Sequence, residues 1–166
     1  MIRQRVAPGL GILAVVLGAA RLAGAADPRL IEAQKLYNST NYEHSLNVLQ
    51  AIQPKDGAVF ELMGRDYYMQ ADYRRATDVL EKAVQMDPFN AEYALWSGRA
   101  WGRRAETSSP FTAPAYASKA RQYLEKSVQL NPTNLDAQSD LFEYYLDAPG
   151  FLGGGLDKAE ATARCV

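Results

Sequence analysis

A single cysteine and a single histidine leave this chain of 166 residues with little to offer as metal ligands or nucleophiles. Cys165 has no second thiol for an internal disulfide, and His44 is remote from it in sequence. Neither an imidazole-thiolate metal site nor a Cys/His dyad is therefore supported. Cys165 is expected inside the last helix and His44 on an exposed helix face. The carboxylates are scattered singly, with no close pair suited to acid-base work. No catalytic residue, metal or cofactor is expected, and the chain reads as a non-enzyme. Net charge is equally scarce, with 18 basic residues against 19 acidic ones. A nucleic-acid binder needs a basic stripe to displace counterions from phosphates, so no nucleic-acid partner is expected.

Long apolar runs are missing except near the start. There, Arg3 and Arg5 precede the apolar Leu10 to Ala20, and Ala23-Gly24-Ala25 follows. A basic head, an apolar middle and a small-residue end are the parts of an export signal, with cleavage expected after Ala25 or Ala26. Eleven apolar residues closed by Arg21 fall short of the roughly 20 that span a bilayer. The membrane would then be met only through an uncleaved form of this segment. Residues 1–25 hold three of the 18 basic residues and no acid, leaving 15 basic residues against 19 acidic ones in the mature chain. The expected location is periplasmic or secreted, in a bacterial source.

What is plentiful is spacing. In Gly57 to Asn90, counted from Gly57, small residues fall at positions 8, 20 and 27 (Gly64, Ala76, Ala83). Aromatic residues fall at 4, 11 and 17 (Phe60, Tyr67, Tyr73), and proline at 32 (Pro88). Small side chains let two amphipathic helices cross closely, and aromatic ones fill the flanking space at interior density. Gly64 is expected to face Ala76, with Ala83 receiving the next unit. Asp87 before Pro88 is pushed out of helical geometry, and Asn90 is placed to cap the following helix with Glu92 in its first turn.

The same spacing recurs on both sides. Residues 26–56 form an irregular first unit with Ala33 at position 8, Tyr42 at 17 and Ser45 at 20; its first helix is expected from Pro28 to Tyr37, capped by Asp27. Residues 91–134 repeat it with Gly98 at 8, Trp101 at 11, Ala120 at 20, Leu124 at 24, Ser127 at 27 and Pro132 at 32. Ten extra residues, 105–114, are rich in Ser, Thr and Pro and are expected to loop out with Phe111 at the tip. Gly98 is expected to face Ala120. Residues 135–166 begin a fourth, partial unit with Phe142 at position 8, where a small residue would be usual. Gly150, Gly153, Gly154 and Gly155 read as a structural hairpin, since Leu156-Asp157-Lys158 lacks the Gly-Lys-Ser/Thr ending of a phosphate loop. Asp157 is expected to cap the final helix. No polar closing helix is visible, so either the chain is truncated or another molecule covers that face.

The spacing in Gly57 to Asn90 resembles a tetratricopeptide repeat (TPR). The resemblance implies an all-α, right-handed superhelical solenoid of about four antiparallel helix pairs, here in an exported domain at residues 26–166. It also implies a protein-binding scaffold, with a peptide or protein partner held in a concave groove. Carried onto this chain, the family's groove positions give Gln34, Tyr37, Glu61, Arg65, Tyr68, Leu95, Arg99, Arg103, Ser139, Glu143 and Asp147. Tyr37, Glu61, Arg65, Tyr68, Arg99 and Arg103 are the foremost of these. Three guanidinium groups and two tyrosines on one surface suggest a peptide with an acidic side chain or terminal carboxylate. The cluster is similar to the carboxylate clamp of chaperone-binding members, but those use asparagines where this chain has Gln34 and Arg65, so their ligand does not transfer. The alternative is a structural subunit, oligomer or part of a larger assembly, packed through the uncapped last helix.

Overall fold

The computed structural model describes residues 27–163; residues 1–25, expected to be an export signal, and Cys165 lie outside the described residues. Among the described residues are eight α-helices, one 3-10 turn and no strand. The helices are α1 (Pro28–Asn38), α2 (Tyr42–Ala51), α3 (Gly57–Met69), α4 (Tyr73–Met86), α5 (Ala91–Glu106), α6 (Ala113–Leu130), α7 (Leu135–Asp147) and α8 (Leu156–Ala163), with the turn at Gly150–Leu152. Each helix packs on the next, pairing α1 with α2, α3 with α4, α5 with α6 and α7 with α8. None of them is long and apolar enough to cross a membrane.

Short polar side chains start most of these helices. Asp27, Asp56, Asp72, Asn90 and Asn134 each accept a bond from a backbone amide of the first turn, and Pro28 stands at the start of α1, where its missing N–H is not needed. In the first two pairs the turn between helices contains a left-handed residue, Thr40 (φ 60°) and Ala71 (φ 59°). In each pair the amide two residues after the first helix bonds back to a carbonyl near its end, Thr40 to Tyr37 and Ala71 to Tyr68.

The close crossing at repeat position 8 is real, and the side chain nearest to the glycine is a leucine one turn beyond the alanine expected from the spacing. The atoms nearest to a Cβ built on Gly64 all belong to Leu80, inside which it would fall, and one built on Gly98 would lie 2.7 Å from the Leu124 side chain and 3.2 Å from its backbone nitrogen. Leu80 and Leu124 both occupy position 24. Seating the glycine over a leucine fills the crossing at interior density, where two small residues would leave a void. The alanines still pack tightly: Ala33, Ala76 and Ala83 are fully buried, and Ala120 nearly so. Pro88 and Pro132 follow the ends of α4 and α6, as the spacing predicts.

The core has two parts. Leu46, Leu49, Leu62, Leu80 and Tyr67 gather with Ala33 and Ala100 in one, while Leu95, Leu124, Leu141, Tyr145 and Ala159 form the other. Both reach α5, through Ala100 and Leu95. Phe142 does not prevent α8 from packing on α7; it lies half-buried against the second cluster.

Residues 105–114 do not loop out as a block. Ala105 and Glu106 finish α5, and Ala113 and Pro114 begin α6, so only Thr107 to Thr112 connect them. Pro114 is tolerated at the helix start. Arg104 lies over the Trp101 ring (4.8 Å) and the Tyr116 ring (4.7 Å) and donates to Thr77 Oγ1 at 2.6 Å, which holds the lengthened helices together. Phe111 is 95% exposed at the tip.

The glycine segment is a closed structural turn. Gly155 N donates to the Tyr145 carbonyl (2.9 Å), the Tyr144 hydroxyl to the Leu152 carbonyl (3.0 Å), and Lys158 Nζ to the Gly153 carbonyl (2.8 Å). Asp157 lies within the first turn of α8 rather than capping it; the Gly155 carbonyl accepts from Lys158 and Ala159. His44 is exposed and bonds Asn41 Oδ1.

Candidate functional site

The first helices of successive pairs, α1, α3, α5 and α7, carry one continuous band of aromatic and charged side chains. At its start the Arg65 guanidinium lies 4.6 Å from the Tyr37 ring centre and 4.8 Å from that of Trp96. Arg99 covers Trp96 as well, at 4.9 Å, so two cations flank one indole. Tyr68 meets Trp96 and Tyr73 edge to face, at 5.7 and 5.6 Å, and Arg103 lies over the Tyr73 ring. The six residues expected to lead the groove, Glu61 through its bond to Arg65 included, therefore sit on this band, and Trp96 joins them.

The arginines are not free, as an acid-binding surface would require. Arg65 bonds Glu61 at 3.2 Å. Arg99 Nε donates to Asp140 at 2.5 Å, with Asp136 3.5 Å away. Arg103 pairs with Glu106. The pairing of Arg99 arises between repeats: Asp136 and Asp140, one turn apart on α7, both reach Arg99 of α5. Trp96 and Asp140 both occupy position 6 of their units, which family-derived groove positions do not include. The three-residue spacing of Trp96 from Arg99 is a local signal that could have found it; Asp140, 41 residues from Arg99, has none.

Burial sets the electrostatics at the first two units. Glu61 is 8% exposed, and burial pushes its carboxyl up to about 7 despite Arg65. Asp66 is fully buried, and burial raises it to about 7 against the opposing bond from Ser45.

Farther along, α5, α6 and α7 enclose a cleft of about 330 Å³. Its floor is small and apolar, with Gly98, Gly102, Ala117, Ala120 and Leu124, and charges stand at its edges. Arg99 and Arg103 rise from α5, Asp140, Glu143 and Asp147 from α7. Gly102 differs from the other glycines of the helix crossings. A Cβ there would touch only the Ala120 methyl, at an ordinary 3.9 Å. No group of three or more potential metal ligands occurs among the described residues.

Paired antiparallel helices, glycine-on-leucine crossings and a band along successive first helices define a helical-repeat solenoid of the tetratricopeptide type. No family model matches the sequence, and no curated protein matches it. Solved structures share the architecture. TTC0263, a thermophilic TPR protein of Thermus thermophilus, is 18% identical with a TM-score of 0.69, over 83% of this chain and 71% of its own. Human IFIT1, solved as a dimer with PPP-AAAA, is 19% identical with a TM-score of 0.69, over 82% of this chain. The match spans 31% of IFIT1's length. At such identities the likeness establishes the fold.

Proposed function

We propose that this protein is a non-enzymatic binding scaffold that holds a peptide or protein segment in the cleft between α5, α6 and α7. The observation that carries the reading is Gly102. Glycine inside a helix is destabilising by about 1 kcal/mol relative to alanine, and nothing within the chain demands it here. A bare backbone on the floor of an open cleft gives a second chain room to approach. The carboxylates at the edge disfavour a polyanion such as nucleic acid. The test is Gly102→Leu, which fills the floor while remaining helical. Photocrosslinking from position 106 should capture a partner in the wild type and lose it in Gly102→Leu. Equal capture by both would refute the reading.

The export signal read from residues 1–25 supports placing this scaffold in the envelope of a bacterium. Fractionation and amino-terminal sequencing of the mature chain should give Ala26 or Asp27 as its first residue. A full-length chain in the cytoplasm would rule export out.

A second reading has its own observation. Leu135 is 64% exposed and, with Phe142 and Thr162, lines a mostly apolar cleft of 370 Å³ between α7 and α8. Such a face suits packing against another subunit. Light scattering that gives a monomer for both the wild type and Leu135→Lys would eliminate it.

A further inference from the structure

The chemistry of the occupant can be taken further, on the reading that the cleft binds a peptide. On α7, Asp136, Asp140, Glu143 and Asp147 follow one another at spacings of four, three and four residues, which aligns them on one side of the helix. The two at the start are occupied by Arg99. Glu143 and Asp147 are exposed, line the cleft, and their carboxylates have no hydrogen-bond or ion-pair partner among the described residues. On the opposite edge Arg103 is held by Glu106 and the Tyr73 ring. With these pairs made, the uncompensated charge of the cleft is negative, and it stands beside an apolar floor.

We infer that the occupant is an extended peptide segment with a lysine or arginine side chain seated between Glu143 and Asp147 and small apolar neighbours lying on the Gly98 to Gly102 floor. A basic side chain meets two carboxylates one turn apart and displaces no existing pair. An acidic one would meet guanidinium groups whose charge is already balanced by Asp140 and Glu106, and would face the unpaired Glu143 and Asp147 as well.

The experiment titrates the isotope-labelled full-length protein with three acetylated, amidated pentapeptides of sequence Ala-Leu-X-Leu-Ala, where X is lysine, glutamate or norleucine. The backbone amides of Gly98 and Gly102 report binding, and that of Gly57 serves as the remote control. The lysine peptide should shift the two cleft amides and bind about tenfold more tightly than the other two, the difference expected of one charge-assisted contact. Glu143→Gln/Asp147→Asn, which removes no contact within the chain, should abolish that preference. Equal shifts with all three peptides, or a preference for glutamate, would overturn the inference and leave the cleft as a peptide site. No shift with any peptide would overturn the inference and the cleft reading together.

Discussion

Asp66 lies fully buried where α3 meets the first helix pair, and its surroundings do not add up for a carboxylate. The Ser45 hydroxyl is 2.7 Å from Asp66 Oδ2 and 3.1 Å from the Ala33 carbonyl, yet it has one proton for two acceptors. Oδ1 has no partner. A protonated Asp66 resolves the first conflict: it donates to Ser45, and Ser45 donates to Ala33. The shift of Asp66 up to about 7 by burial agrees with that arrangement. The folded state then holds a proton that the unfolded chain, with an ordinary value near 3.9, releases earlier. The contribution of Asp66 to stability should therefore be full at and below about pH 4, be lost as pH rises through about 7, and level off above it. Glu61 contributes in the same direction. The lowered Asp72 carboxyl works oppositely, lending stability above the unfolded value that is lost as pH falls below it. Thermal melts from pH 4.5 to 8 should show the decline in the wild type and a clearly shallower one in Asp66→Asn, whose amide can donate to Ser45. Parallel profiles would show that Asp66 folds as a carboxylate. The sequence carries one trace of this pair: Ser45 replaces alanine at position 20, and a small hydroxyl there has a use only if a polar group faces it.

Within helices, three glycines make different demands that spacing alone does not reveal. Gly64 and Gly98 fall at position 8 and are filled by Leu80 and Leu124; Gly102, four residues after Gly98, faces open space. Gly64→Ala and Gly98→Ala should each destabilise the protein by about 1–3 kcal/mol, because a methyl must displace a packed leucine. Gly102→Ala should instead stabilise it by about 0.5–1 kcal/mol, since the methyl meets no obstacle and the helix gains propensity. Urea denaturation of the three variants measures both signs, and a loss at Gly102 comparable to that at Gly98 would contradict the packing described. Element boundaries are partly legible, because caps are local chemistry: Asp27 and Asn90 cap their helices as expected, and Asp56, Asp72 and Asn134 do so by the same chemistry, whereas Asp157 does not. Residues 105–114 mislead because Ser, Thr and Pro speak for a loop, whereas Ala105 is buried on α5 and Pro114 is compatible with a first turn. The ion pairs of the band are harder still to read. Asp140 reaches Arg99 across 41 residues, and that match depends on how far one repeat rotates against the next.

At the scale of the molecule, a solenoid in which each unit touches chiefly its neighbours has a stability close to a sum of units and interfaces, so its ends should open before its middle. The burial pattern gives the gradient. Helices α3 and α5 each bury seven residues, while α1 and α8 each bury one, Ala33 and Ala159. Helix α5 also contributes to both parts of the core, Ala100 to one and Leu95 to the other. Amide hydrogen exchange should consequently show protection that rises from α1 and α8 toward α3 and α5, with α8 exchanging without global unfolding. Leu124→Ala, which empties the crossing over Gly98 at the middle of the stack, should lower global stability by about 2–5 kcal/mol. It should also bring the exchange of α5 and α6 toward that of α8. The cleft proposed for a partner lies on the same helices, lined by α5, α6 and α7. A bound segment would bridge the well-packed α5 to α7, beyond which α8 lies with one buried residue, and should raise protection most in α7 and α8. Uniform protection along the chain, with or without a ligand, would instead mean that the molecule unfolds as a single unit and that α5 is not the keel on which both halves rest.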